Sequence, residues 1–136
     1  MNVKIGTKAE AAALVTERDT AAAMGSGTLD VLATPRMAAL MEQAAVLAAA
    51  EGLDESETTV GTALNITHEA PTPVGMKVRA EAVVTAAEGR KLCFEVTAWD
   101  ERGRIGGGTH ERFAVNGERF AAKCRAKLNG GERTEN

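Results

Sequence analysis

Three side chains able to move protons or attack a carbonyl stand in the first half of this 136-residue chain: Thr34, Glu42 and His68. Held together, a hydroxyl, a carboxylate and an imidazole make an acyl-transfer centre, in which one group orients or deprotonates another. Each also has a plainer role. Thr34 precedes Pro35, where threonine commonly caps a helix. Glu42 reads equally as a solvated carboxylate, and His68 as a satisfied core residue. The other histidine, His110, follows Gly106, Gly107 and Gly108, whose bulges or close backbone approach leave its facing unreadable. No serine-hydrolase elbow, zinc motif or phosphate loop competes with this set.

The elements that must position these groups are legible in the periodicity. After Thr34-Pro35 a helix runs over residues 36 to about 51 and stops at Gly52. It is apolar nearly all round, so burial is expected. Between Arg36 and Glu51 its only polar side chains are Glu42 and Gln43. Glu42 lies two turns, about 12 Å, beyond Thr34, on the flank of the stripe Met37, Met41, Ala44, Ala45 and Ala48. That position fits a cleft or a subunit interface. From Thr58 onward the period becomes two, over residues 60–68, 76–85, 91–100 and 104–116. Turn-forming residues at 71–75, 87–90 and 101–104 imply consecutive hairpins and hence a meander. Alternation places Val78, Ala80, Ala82 and Val84 on the dry face, and His68 with Leu64 and Ile66 towards the helix. Residues 3–5 and 13–16 read as short strands, 118–128 as a helix, and 129–136 as a disordered tail. The whole is a single domain over residues 1–128, of α+β class: an antiparallel sheet wrapped around a central helix, the hotdog fold. Its open sheet edge predicts a homodimer.

Composition narrows the partners. A formal net charge of -3 and four scattered aromatic residues (Phe94, Trp99, Phe113 and Phe120) argue against a nucleic-acid surface. No apolar stretch approaches the roughly 18 residues of a membrane span, and the N-terminus lacks the layout of a signal peptide, so a cytoplasmic protein is expected. Cys93 and Cys124 have no second ligand nearby and read as reduced thiols, with no metal site.

Three stretches together carry a resemblance: Val31-Leu32-Ala33-Thr34-Pro35 through Leu40-Met41-Glu42; Val60-Gly61-Thr62 with Thr67-His68; and Gly106 through Arg112. In order and spacing, over roughly residues 5–116, they resemble the fluoroacetyl-CoA thioesterase family. The resemblance implies that Thr34, Glu42 and His68 are catalytic and that Gly61 lies against the thioester carbonyl. It also makes His110 and Arg112 substrate-binding candidates. The substrate implied is an acyl-CoA, with no separate cofactor. Candidates for its phosphates are Arg36, Lys77, Arg79, Arg90, Lys91, Arg102 and Arg104. The fluorinated acyl group is not implied, because residues 20–29, part of any lid, are small and glycine-rich. Two other functions fit the same fold: a non-catalytic binder of acyl-CoA or an apolar ligand, and a dehydratase or hydratase. A binder has no need of a carboxylate in a dry helix, where an unpaired charge costs several kcal/mol.

Overall fold

A computed structural model describes residues 1–130 of the chain. Five strands form one antiparallel sheet: β1 (Lys8–Leu14), β2 (Glu57–His68), β3 (Lys77–Glu88), β4 (Lys91–Asp100) and β5 (Gly103–Asn116). A four-residue helix α1 (Ala21–Met24) and the long helix α2 (Thr34–Ala50) lie between β1 and β2, and α3 (Gly117–Ala126) follows β5. The α+β plan is as expected.

Strand order is β1-β3-β4-β5-β2, which corrects the expected meander in one place. Hairpins join β3 to β4 and β4 to β5, but β2 pairs with β5, not with its sequence neighbour β3. β1 occupies that edge of β3, from Lys8 opposite Val83 to Leu14 opposite Lys77. The turn-rich segment 71–75 therefore carries the chain across to another strand. It is tied down there: the Val15 amide donates to the Met76 carbonyl and the Gly75 amide to the Val15 carbonyl.

The dry face of the sheet is the one read from alternation. Val78, Ala80, Ala82 and Val84 of β3 are buried, with Leu92, Phe94, Val96 and Ala98 of β4. Against them α2 lays Met37, Leu40, Met41, Ala44, Ala45, Ala48 and Ala49, packing chiefly on β1 and β3. Small side chains on both surfaces bring helix and sheet close, where dispersion contacts are densest. At Gly106 the approach is close: a Cβ there would stand 2.9 Å from Met37 Sδ and would also strike the Thr67 carbonyl.

The helix is not buried all round. Val46 and Leu47 remain 42% and 47% exposed, so α2 keeps an unpartnered apolar face. The N-terminal strand also differs from expectation. Residues 3–5 form no strand, because a turn at Gly6 (φ 91°), closed by the Thr7 amide on the Lys4 carbonyl, delays pairing until Lys8. Of residues 13–16, only Ala13 and Leu14 are in β1. The C-terminal helix forms and is followed by a tight turn over Lys127–Asn129; the rest of the expected tail, residues 131–136, lies outside the described residues. Among the described residues no helix is long and apolar enough to cross a membrane.

Candidate active site

The N-cap of α2 falls one residue earlier than the Thr-Pro signal predicts, and the helix starts at Thr34. Ala33 is the N-cap, Thr34 is already helical, and no side chain closes the cap. The Thr34 hydroxyl is thereby free for another partner and lies 2.8 Å from His68 Nδ1. His68 ends β2, opposite Gly106, and its Nε2 is buried with no hydrogen-bond partner among the described residues. Burial holds its pKa below the ordinary histidine value, against an opposing contribution from the Ala70 backbone. The neutral ring is the resting form. Beside the pair is a cavity of about 270 Å³ lined by Ala21, Val31, Leu32, Ala70 and Pro71, with Ser26, Glu69 and the pair itself.

Two helical turns on, Glu42 faces a second cluster. Its side chain is 43% exposed, and its carboxylate meets Arg112 Nη1 at 3.5 Å. Arg112 is the buried charge here, its side chain only 8% exposed. Nε donates to Thr59 Oγ1 at 2.9 Å, Nη2 to the Thr59 carbonyl at 3.1 Å, and Nη1 to His110 Nε2 at 3.1 Å. Because Nε2 of His110 accepts, its Nδ1 carries the proton and donates to the Ala63 carbonyl at 2.8 Å. Burial lowers the His110 pKa, which keeps this ring neutral, and it lowers that of Arg112 too, opposed by Glu42. Gly61 pairs with Arg112 across the ladder, and the carboxylate rests over its Cα. A Cβ at Gly61 would come within 2.8 Å of Glu42 Oε2 and 3.2 Å of Arg112 Nη1. Beside it the register breaks between Gly61 and Ala63, leaving Thr62 without a ladder partner.

The residues matched as one trio thus fall into two groups within a chain. Thr34 and His68 meet. Glu42 joins Gly61, His110 and Arg112 instead, and no hydrogen bond among the described residues links it to His68 or Thr34. Seven residue steps along the strand, about 23 Å of extended chain, separate Gly61 from His68. Nor does Glu42 stand in a dry helix: it is partly solvated and paired, so the cost of an unpaired buried charge does not by itself argue against a binder. Thr59 was not foreseen as part of the site. Its signal was two-residue spacing from Gly61 on the strand opposite Arg112. Of the proposed phosphate contacts, Arg36, Arg79, Lys91 and Arg104 are committed to Asp19, Glu10, Glu111 and Glu69.

A five-stranded antiparallel sheet carrying one long helix is the hotdog architecture, shared with a hot-dog-like protein of Thermanaerovibrio acidaminovorans at 24% identity and a TM-score of 0.80, over 95% of this chain and 94% of that one. More specific likeness lies in one direction. The chain belongs to the family of fluoroacetyl-CoA-specific thioesterases, which matches over residues 15–118. It is 44% identical to the fluoroacetyl-CoA thioesterase of Streptantibioticus cattleyicolor across 102 residues, 75% of this chain and 73% of the relative. A solved structure of a fluoroacetyl-CoA thioesterase superposes with a TM-score of 0.87 at 35% identity, covering 93% and 98% of the two chains. A variant of that enzyme has been solved in complex with acetyl-CoA.

Proposed function

We propose that the protein, an acyl-CoA thioesterase by family, hydrolyses a short-chain acyl-CoA thioester at a centre that two chains complete. In this homodimer Glu42 of one subunit works with Thr34 and His68 of the other. The observation that carries the reading is the division of the matched residues into two groups beside an unpartnered surface. β2 is a sheet edge, exposed from Gly61 to Asn65, and the neighbouring face of α2 exposes Val46 and Leu47. An edge of this kind is ordinarily paired or covered. Antiparallel pairing of two β2 strands about an axis between Leu64 and Asn65 sets Gly61 opposite His68 of the partner subunit.

In such a centre the carbonyl carbon lies between Glu42 and the partner's His68. Backbone donors at the register break beside Gly61 receive the developing oxyanion. Glu42, oriented by Arg112, removes a proton from water whose oxygen bonds to the carbonyl carbon, or adds to that carbon itself. On collapse of the tetrahedral intermediate the carbon–sulfur bond breaks. A neutral His68 that accepts from Thr34 at Nδ1 carries its proton on Nε2 and donates a hydrogen bond to the departing sulfur, which takes up the proton that Glu42 removed from water; in the direct-attack route water then cleaves the acyl–Glu42 anhydride and supplies that proton. His110 and Arg112 act by holding Glu42, not by touching substrate. The cavity beside His68, on the order of nine water volumes, has room for a short acyl chain and is walled by small side chains.

A panel of acyl-CoAs from acetyl to octanoyl, followed by free-thiol release, tests this function. Cleavage of the short members by wild type, lost in Glu42→Ala and His68→Ala, is the expected result. If none is cleaved faster than by those variants, the protein is a binder on this fold. Single turnover in oxygen-18 water separates the two routes for Glu42, since label enters the carboxylate only after covalent attack.

A further inference from the structure

A register break leaves its extra residue unpaired and the ladder locally open, so its shape must be fixed by something other than strand pairing. At the break in β2 that residue is Thr62, which has no residue opposite it. Two buried side chains of β5 grip the strand on either side. Towards the start of β2, Arg112 donates to both the hydroxyl and the carbonyl of Thr59. Towards its end, His110, only 1% exposed, donates from Nδ1 to the Ala63 carbonyl at 2.8 Å. Between these grips the imidazole lies against Gly61, its Cε1 3.4 Å from where a Cβ would stand. Thr62 itself adds one exposed tie, its hydroxyl donating to the Glu111 carbonyl at 3.2 Å.

The ring has no freedom to turn. Phe94 packs beside it, with centroids 5.9 Å apart and planes tilted by 31°, and Nε2 accepts from Arg112 Nη1 at 3.1 Å. A core histidine that only fills space is satisfied by any one partner; here each nitrogen is taken by a different part of the site. Nδ1 fixes backbone at the break, and Nε2 fixes the guanidinium. The same Nη1 atom meets Glu42, so the backbone beside Gly61 and the carboxylate are set relative to each other through one imidazole. We infer that His110 is a positioning residue for the bulge as well as for Glu42: it holds the backbone beside Gly61 in the shape that presents its amides to the thioester oxygen. The inference rests on the reading that places the carbonyl at Gly61, and adds to it the group that shapes that backbone.

Two substitutions in the full chain separate the ring's two bonds. In His110→Asn the side-chain amide stands near Nδ1 and still donates to Ala63, but nothing reaches Arg112. In His110→Gln the side-chain carbonyl reaches Arg112 in place of Nε2, and Ala63 loses that donor. Amide NMR should show the Gly61, Thr62 and Ala63 resonances displaced in His110→Gln and back towards wild type in His110→Asn. Turnover of a short acyl-CoA should follow. In His110→Gln kcat should fall about 10²-fold, the loss expected when reacting groups slip by near 1 Å, with KM within about twofold of wild type; His110→Asn should recover about tenfold of that loss. A kcat in His110→Gln within about twofold of wild type overturns the role, as does a loss in His110→Asn as large as that in His110→Gln. Nitrogen-15 NMR of the wild-type ring tests it without any variant: the proton should be on Nδ1, and a proton on Nε2 overturns it. Failure of the catalytic reading looks different: wild type cleaves no thioester, while the amide resonances still separate the two variants.

Discussion

Replacing Gly61 with alanine separates the geometry of the candidate site from the stability of the fold. The added Cβ would stand 2.8 Å from Glu42 Oε2 and 3.2 Å from Arg112 Nη1, where ordinary contact begins at 3.4 Å. Arg112 is fixed by Thr59 and His110, so the carboxylate of Glu42, whose side chain is 43% exposed, is the group that yields. It must withdraw by more than half an ångström. Alanine in a strand is worth about 0.5–1 kcal/mol over glycine. A loosened, half-solvated ion pair costs less than about 1 kcal/mol. The two nearly cancel, and urea unfolding should find Gly61→Ala within about 1 kcal/mol of wild type. Catalysis is less tolerant: a misplacement near 1 Å can cost about 10²-fold, so kcat for a short acyl-CoA should fall by that order, or about 2.7 kcal/mol of barrier. Thiol release reads the rate. A variant with kcat within about twofold of wild type would refute the placement of Glu42 over the reacting carbon.

Three further outcomes follow from the same contacts. Thr34→Ala should lower kcat at least about tenfold while costing under about 0.5 kcal/mol of stability, because Ala33 holds the cap position; Thr34→Ser should restore the rate. An N-cap role would instead show as a loss of about 1 kcal/mol in thermal unfolding, with little change in kcat. For His68 the folded-state pKa lies below 6.5, so a rate that needs the neutral ring should persist below pH 6.5 and fall only as pH drops through the lowered value. The stability contribution has the same sign: present above 6.5, lost on acidification through the folded pKa, and absent from the pH profile of His68→Gln. Arg112→Met should destabilise the fold by about 2–4 kcal/mol in urea, since His110 Nε2 and the Thr59 carbonyl lose their donor and Glu42 its partner; Arg112→Lys cannot span Thr59 and His110 and should recover little.

Much of this architecture is local and so was readable. Proline, glycine and the all-apolar run mark α2, and two-residue alternation marks four strands with their dry faces. What sequence did not contain was non-local. Nothing in residues 69–76 says that β2 crosses to the edge of β5, because that choice depends on β1 reaching β3 first, and β1 is a stretch of alanines with weak strand preference. Spacing showed that Thr34, Glu42 and His68 share one helix and its facing strand, yet not that the crossing of the two elements holds Glu42 away from His68. Arg112 was visible as a basic residue on a strand. That it is buried, and aimed at Glu42 through Thr59 and His110, comes from strand pairing alone. Val46 and Leu47 belonged to a helix expected to be fully covered, and they stand exposed in the chain.

The division of the site between subunits is the central claim, and subunit complementation tests it most directly. Glu42→Ala and His68→Ala are each purified inactive, mixed, dissociated and reassociated, and assayed for thiol release on a short acyl-CoA. If each centre draws Glu42 from one chain and His68 from the other, half the dimers are mixed and each restores one of its two centres, so about a quarter of wild-type activity should return. If each chain holds a complete centre, every chain in the mixture carries a lesion, and no activity should return above that of the separate variants.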